Sequence, residues 1–306
     1  MGRLKQWRKE NKTWKVLKSK YVEFKRKVRI SKLPSSQYQH YQAMCQNYHS
    51  AQLSSVIEGV PRFIERPINK YLHKAWSGKQ KLLTASYTLN LIENTFKPEA
   101  IEAMFSAKRE GLLVANIELK SGEFAQLTLI YSQYPREGDL TLHLRNETGD
   151  DIYLMSFSFG PEGQLYVCSL QGPSTEQSVD QVRLITKQMH GMRPKNLLMS
   201  AIYAVASFFQ VKSILGISNQ CHIKSQHLKS SYDTFWQECS ATKTPDGWFQ
   251  LPIQEPVRDI ESVKSQRRAE FRRREALRDA MTQDIITSLT KNSISLTNWF
   301  SPINYL

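Results

Sequence analysis

The residue types best suited to chemistry gather between Leu165 and Leu251. Gln188, His190, Gly191, Arg193 and Lys195 stand around the start of a long apolar run led by Pro194. A glycine, a proline and two cations at the beginning of a buried helix form a candidate anion site. Backbone N–H groups lack partners at a helix N-terminus and the macrodipole adds roughly half a positive charge, so phosphate or carboxylate is the ligand class selected. Asn219 follows the next apolar strand, and Tyr232 opens the next helical segment. His190 is a weaker candidate, as a base or a phosphate-orienting group, because a histidine at a helix end is more often a satisfied polar residue. Cys221, His222, His227 and Cys239 are zinc-type ligands, yet their spacing matches no usual finger and no CxxC pair accompanies them; no metal is expected. Neither Gly-x-Ser-x-Gly nor a nucleotide P-loop occurs.

Hydrophobic periodicity describes the scaffold that must hold these residues. Tyr38 to Ile57, Ile68 to Trp76, Lys79 to Phe96 and Pro98 to Phe105 carry apolar residues at helical spacing, with prolines between them. At Gly111 the period changes. Leu112 to Leu119, Glu123 to Tyr131, Leu140 to Leu144, Ile152 to Phe159 and Gln164 to Leu170 are β-rich segments separated by short turns, which predicts an antiparallel meander. Alternation in Leu140 to Arg145 and in Met155 to Phe159 implies one covered face and one wetter face. Helices then follow at Glu176 to His190 and Pro194 to Gln210, a strand at Ser213 to Ile217, a helix at Ser230 to Glu238 and a strand at Trp248 to Leu251. A β-α-β crossover would place strand 213–217 parallel to strand 164–170, with the Pro194 helix across one sheet face. The fold class expected is α+β, in four parts: a basic amphipathic arm over 1–32, a helical subdomain over 33–110, an α+β core over 111–260, and a basic helix and tail over 261–306.

The chain has 306 residues and is 40% apolar, which excludes global disorder. Its longest mainly apolar run, Leu197 to Val211, is interrupted by Ser200, Ser207 and Gln210 and falls short of a membrane span. Four scattered cysteines fit a reducing cytoplasm, and the basic N-terminus lacks the apolar core of a signal peptide. The net charge of +14 is concentrated: residues 1–32 hold thirteen Lys or Arg against two Glu. Leu4, Trp7, Trp14, Leu17, Tyr21, Phe24 and Val28 recur there at helical spacing, with cations on the remaining surface. Trp7, Trp14, Lys15, Lys18, Lys25 and Arg26 are the residues expected to meet an anionic membrane or an acidic partner, with specific nucleic-acid binding ranked below both. The alternative is an aromatic stripe packed on the body of the protein. Near the C-terminus, Arg267 to Arg278 reads as an exposed helix laced by Glu270–Arg274 and Glu275–Arg278 pairs.

A meander followed by a helix that opens beside a splayed strand resembles the acyl-CoA-dependent N-acetyltransferase superfamily. Its pyrophosphate loop, (Gln/Arg)-x-x-Gly-x-(Gly/Ala), is matched by Gln188 and Gly191, with Arg193 in place of the small residue. That resemblance implies acyl-CoA as cofactor, Gln188, Gly191, Arg193, Lys195 and Asn219 as its contacts, and Tyr232 as the general acid that reprotonates the leaving thiolate. A second likeness covers about Gly78 to Arg278. Leu165-Tyr-Val-Cys-Ser-Leu-Gln-Gly-Pro173, His190-Gly-Met-Arg-Pro-Lys195, Gly216-Ile-Ser-Asn219 with His222, Tyr232-Asp-Thr-Phe-Trp236, Leu251-Pro252, Arg258-Asp259 and Lys264 to Arg274 together resemble the VirK/YbjX family of Gram-negative bacteria. This implies a link to virulence, envelope stress and antimicrobial-peptide resistance, without catalytic residues. Two function classes follow: a cytoplasmic acyltransferase, which needs an open cleft beside strand 164–170, and a non-catalytic peripheral protein of the inner membrane, which needs only exposed charge.

Overall fold

A computed structural model describes residues 12–50, 53, 65–106, 110–172, 176–228, 230–257 and 259–294. Helices α1 (Lys12–Ser31), α2 (Ser35–Ser50), α3 (Gly78–Thr95) and α4 (Pro98–Phe105) precede the meander β1 (Leu112–Glu118), β2 (Phe124–Tyr131), β3 (Leu140–Arg145), β4 (Asp151–Phe159) and β5 (Gln164–Gln171). Next come α5 (Glu176–Gln188), α6 (Pro194–Phe208), β6 (Ser213–Ile217), α7 (Tyr232–Glu238), β7 (Thr242–Lys243), β8 (Trp248–Leu251) and α8 (Arg268–Lys291). The strands form one sheet in the order β1-β2-β3-β4-β5-β6-β8-β7. Only β5 and β6 pair in parallel, from Gln164↔Ser213 to Val167↔Gly216, and α6 makes the crossover between them. The α+β class, the meander and the crossover are therefore present. Among the described residues, no helix is long and apolar enough to cross a membrane.

Local chemistry explains where the helices begin. Ser77 caps α3: its Oγ accepts from Gln80 N–H at 3.3 Å while Gln80 Oε1 accepts from Ser77 N–H at 2.9 Å, a reciprocal capping box. Pro98 and Pro194 open α4 and α6, where a missing N–H costs nothing. Leu197, Leu198, Ala201, Ile202 and Val205 of α6 are buried against β3 and β4, and α8 flanks α6 and lies along β1. The C-terminal helix is more than an exposed charged rod, since Phe271, Met281, Ile285 and Leu289 are buried on it.

Two expectations need correction. Ile68 to Trp76 is a chain of turns rather than a helix. Its backbone bonds lead outward, from Leu72 N–H to Arg136 O at 2.8 Å and from Lys74 N–H to Cys221 O at 2.8 Å, so tertiary pairing overrides the helical period. At β3 and the inner part of β4 the expected wetter face is not wet either, whereas β1 does expose Asn116 and Glu118. All six residues of β3 are buried, Thr141, His143 and Arg145 included. Polar partners replace water there: Thr141 Oγ1 meets Ser156 Oγ at 2.8 Å, Asp139 N–H donates to Ser158 Oγ at 3.0 Å, and Tyr71 OH donates to Asp139 Oδ2 at 2.5 Å. Arg66 Nε lies 2.8 Å from Asp139 Oδ1, and both side chains are wholly buried. Alternation thus marks two differently filled faces, because a buried polar residue is tolerated once it has a partner.

Candidate functional site

The loop from Gln188 to Lys195 is a helix-to-helix connection. His190 (φ +55°) and Gly191 (φ +80°) both adopt left-handed conformations at the end of α5, and Gly191 N–H donates back to Thr186 O at 2.8 Å. This six-to-one bond satisfies a last carbonyl of α5, so the glycine is a helix C-cap. Met192 N–H donates to Met189 O, while Asn196 and Leu197 N–H groups both turn to Arg193 O. Few backbone donors are left for a pyrophosphate. Gln188 points away from the loop, into a small cleft with Ile152 and Asp150, and its Oε1 is buried. Both cations are matched: Glu238 Oε2 accepts from Arg193 Nη2 at 2.7 Å and from Lys195 Nζ at 3.2 Å. Burial pushes the Glu238 carboxyl up, but these two ion pairs outweigh it and hold its pKa below the ordinary value.

Beyond the loop lies a cleft of about 600 Å³ between α6 and α8. Arg193, Arg274 and Arg278 line it together with Glu238, Glu255 and Glu275, an even charge balance. Arg278 binds Glu275 at 2.6 Å and Glu255 at 3.2 Å, so the anticipated Glu275 pair exists, whereas Glu270 faces Lys120 at 4.0 Å. His190 sits near Lys120, Arg273 and Arg274, and burial first, then these cations, lower its pKa. Cys239, also on the wall, has its thiol pushed up to about 11 by burial and is protonated at neutral pH, which makes it a poor nucleophile.

The proposed general acid lies elsewhere. Past Val167 the strands β5 and β6 part, and β5 would leave backbone groups bare inside the protein. Side chains fill the gap. Tyr232 OH accepts from Leu170 N–H at 3.0 Å and donates to Leu170 O at 3.2 Å, and its pKa is pushed up to about 12, chiefly by burial. His222 Nε2 donates to Cys168 O at 3.0 Å while its Nδ1 accepts from Lys224 N–H at 3.0 Å, a pattern that selects the neutral ring. Trp236 Nε1 donates to Ile217 O at 2.8 Å, with its indole against Gly216, where a Cβ would stand 2.5 Å from the ring. Asn219 is spent on α7: its Oδ1 accepts from Tyr232 N–H and its Nδ2 donates to Ser231 Oγ. The space beside β5 that acyl transfer requires is therefore occupied by His222 and Tyr232; among the described contacts Tyr232 and Asn219 make no bond to Arg193, although Tyr153 lies near both Tyr232 and Arg193.

Sequence reasoning passed over a third cluster. At the carboxyl ends of the parallel pair, Glu137 from the β2–β3 turn is 2% exposed, and its Oε2 accepts from Ser169 Oγ at 2.7 Å and Gln171 Nε2 at 2.8 Å. Lys224 forms an ion pair with its other oxygen. These groups floor a cleft of about 390 Å³ whose far wall is α1, through Val22, Lys25 and Arg29. The available signal was Arg136-Glu137-Gly138, which reads simply as a turn. Ligands of open sheets with parallel strands do gather beyond those strands' carboxyl ends.

On its other side α1 is exposed. Val16, Tyr21 and Phe24 are 53%, 58% and 64% accessible, and Lys20 and Lys27 are exposed among them, Lys27 paired with Glu23 at 3.3 Å, while Lys25 is exposed at the edge shared with the cleft. Lys25 Nζ sits 4.4 Å from the Tyr21 ring centre, and Arg26 is half-buried toward α2 near Tyr41 and Cys45. Trp7 lies outside the described residues; Trp14, Lys15 and Lys18 are on α1, but their side chains are likewise outside that set. Among the described residues, no group of three or more His, Cys, Asp or Glu could hold a metal ion.

A family model described as a protein of unknown function (DUF535) matches residues 19–287. The chain belongs to the DUF535 family. It is similar to the uncharacterized protein YbjX of Escherichia coli strain K12, at 28% identity over 252 residues, which span 78% of this chain and 76% of the relative. It is also similar to a protein named membrane protein LapB from Mannheimia haemolytica, at 29% over 185 residues, 59% of this chain and 76% of the relative. An uncharacterized protein of Haemophilus influenzae is 31% identical over 156 residues, about half of either chain (49% and 53%). The YbjX match agrees with the resemblance to the VirK/YbjX family. No solved structure matches the chain, so the N-acetyltransferase-like core has no structural counterpart.

Proposed function

We propose that this DUF535 protein is a non-catalytic peripheral protein that contacts anionic membrane through α1. The observation that carries this reading is the outward exposure of Val16, Tyr21 and Phe24 among Lys20, Lys25 and Lys27. An apolar and aromatic strip between lysines gains from insertion at the acyl boundary and from attraction to anionic headgroups, worth about 1 kcal/mol per cation near the surface. The name membrane protein LapB borne by one relative supports it, as does the resemblance's link to envelope stress, virulence and antimicrobial-peptide resistance. The expected place is the cytoplasmic face of the inner membrane. Cosedimentation of the full chain with phosphatidylglycerol-containing and pure phosphatidylcholine vesicles tests it. Binding should require the anionic lipid, weaken in 1 M salt, and fall in a Tyr21→Ser, Phe24→Ser variant; equal binding to both vesicles would overturn it.

Acyl-CoA-dependent transfer keeps one observation in its favour, the parallel pair β5 and β6 crossed by α6. The commitments of Gly191, Glu238, Asn219 and Tyr232 weigh against it. Titration of acetyl-CoA and a longer acyl-CoA decides: micromolar binding that is lost in Arg193→Glu, Lys195→Glu would restore this reading, and no binding would end it.

A further inference from the structure

The cleft behind α1 carries an unbalanced charge. Of its lining residues, Lys224 is matched by Glu137 and Arg66 by Asp139. The charged side chains that remain are Lys25, Arg29 and Arg136 against Glu65, and none of these four forms an ion pair among the described residues. The surplus of two positive charges equals the charge of a phosphate monoester above its second ionisation near pH 6. The unmatched cations come from α1 and the β2–β3 turn, and the loop after β6 adds the Glu137-paired Lys224, so three separate stretches are drawn around one hollow. Like charges held together destabilise the compact state, and a bound anion relieves that strain.

We infer that this cleft binds a phosphomonoester group, with Lys25, Arg29, Arg136 and Lys224 holding the phosphate oxygens. Glu137 is a positioning residue: anchored by Ser169 and Gln171, its buried carboxylate fixes the Lys224 ammonium at the floor. A hollow of about 390 Å³ exceeds a bare phosphate and lies at the small end of organic-ligand sites, which leaves space for a glycerol- or sugar-sized attachment. The ligand is therefore a lipid headgroup or a soluble phosphate ester of that size. This goes beyond the membrane contact proposed above, which uses the outward face of α1 around Val16, Lys20 and Phe24; Lys25 stands at the border between the two.

Two measurements on the full chain test it: isothermal titration with glycerol 3-phosphate, and cosedimentation with phosphatidic acid vesicles against phosphatidylglycerol vesicles of equal surface charge. Saturable binding of glycerol 3-phosphate, or a preference for phosphatidic acid, is expected. Either should weaken about tenfold or more in Arg29→Glu, Arg136→Glu, since two charge-assisted contacts to the phosphate are replaced by like-charge repulsion. Soluble binding without lipid preference identifies a free ester; lipid preference without soluble binding identifies a headgroup. The variant should match or exceed the wild-type thermal midpoint, because neither arginine makes an ion pair among the described residues and their repulsion is removed. Tyr21→Ser, Phe24→Ser should lose vesicle binding while retaining glycerol 3-phosphate, which separates this inference from the membrane reading. Absence of both signals, or equal affinity in the Arg29→Glu, Arg136→Glu variant, would overturn it.

Discussion

The cleft between α6 and α8 and the cleft behind α1 both collect arginines and carboxylates, but they hold them differently. In the first, Arg193 and Lys195 share Glu238 while Arg278 takes Glu255 and Glu275, all at partly exposed positions. In the second, the pairs are at the base, Arg66 on Asp139 and Lys224 on Glu137, and the rim keeps Lys25, Arg29 and Arg136 unmatched among the described residues. A cationic motif in a sequence therefore locates charge without revealing whether the fold has already answered it. The α6 loop looked like an anion site and has both its cations engaged by Glu238; the α1 cleft looked like a turn and a basic helix and retains three cations without an ion pair among the described residues.

If buried ion pairs underpin the α1 cleft, Arg66→Ala should produce the largest loss of stability. It leaves the buried Asp139 carboxylate without its guanidinium, which costs about 3–5 kcal/mol in urea unfolding. Asp139→Ala added to it should recover part of that loss; a single-variant cost under about 1 kcal/mol would show that the pair does not underpin the cleft. Next in size, Tyr232→Phe should destabilise by about 1–3 kcal/mol, because both backbone groups of Leu170 lose their partner inside the protein. The general-acid role predicts the opposite pattern, little change in stability and loss of turnover.

A smaller effect concerns pH. Burial lowers the His222 pKa below its ordinary 6.5, and a proton on Nδ1 would oppose Lys224 N–H. Below that value the unfolded chain binds a proton that the folded ring resists, so the contribution is complete above about pH 6.5 and is lost as pH falls through the lower folded value. His73 and His40 are shifted in the same direction, again first by burial. Thermal midpoints should fall between pH 7 and pH 5, and less steeply in His222→Gln; a flat profile would contradict the neutral-ring assignment. Smallest of all, Arg193→Ala should change stability by less than about 1 kcal/mol, because its pair with Glu238 is solvent-exposed. A loss comparable to Arg66→Ala would erase the contrast between the clefts.

Much of the fold was legible in the sequence. The meander, the crossover and the start of α6 follow from period, turn residues and Pro194. What period cannot show is where polar side chains find their partners. Ile68 to Trp76 has helical spacing, yet its backbone is claimed by Arg136 and Cys221. Ser156 and Ser158 alternate with apolar residues as solvent-facing positions do, yet Thr141 and Asp139 meet them inside. The site was less legible for the same reason: Gly191 matches a phosphate-loop position and serves as a helix cap, while Glu137 is assembled with Ser169 and Lys224 from three distant stretches.

The central claim is that anionic surfaces are met by α1 and not by the Gln188 to Lys195 loop. Vesicle cosedimentation of Lys20→Glu beside Arg193→Glu, Lys195→Glu tests it directly. Reversing a lysine near a bilayer removes about 2 kcal/mol of attraction, so the first variant should bind phosphatidylglycerol vesicles at least about tenfold more weakly. The second should stay within about twofold of the unaltered chain, because in that chain Glu238 already neutralises part of its charge. Equal losses in the two variants, or a loss confined to the second, would contradict the account.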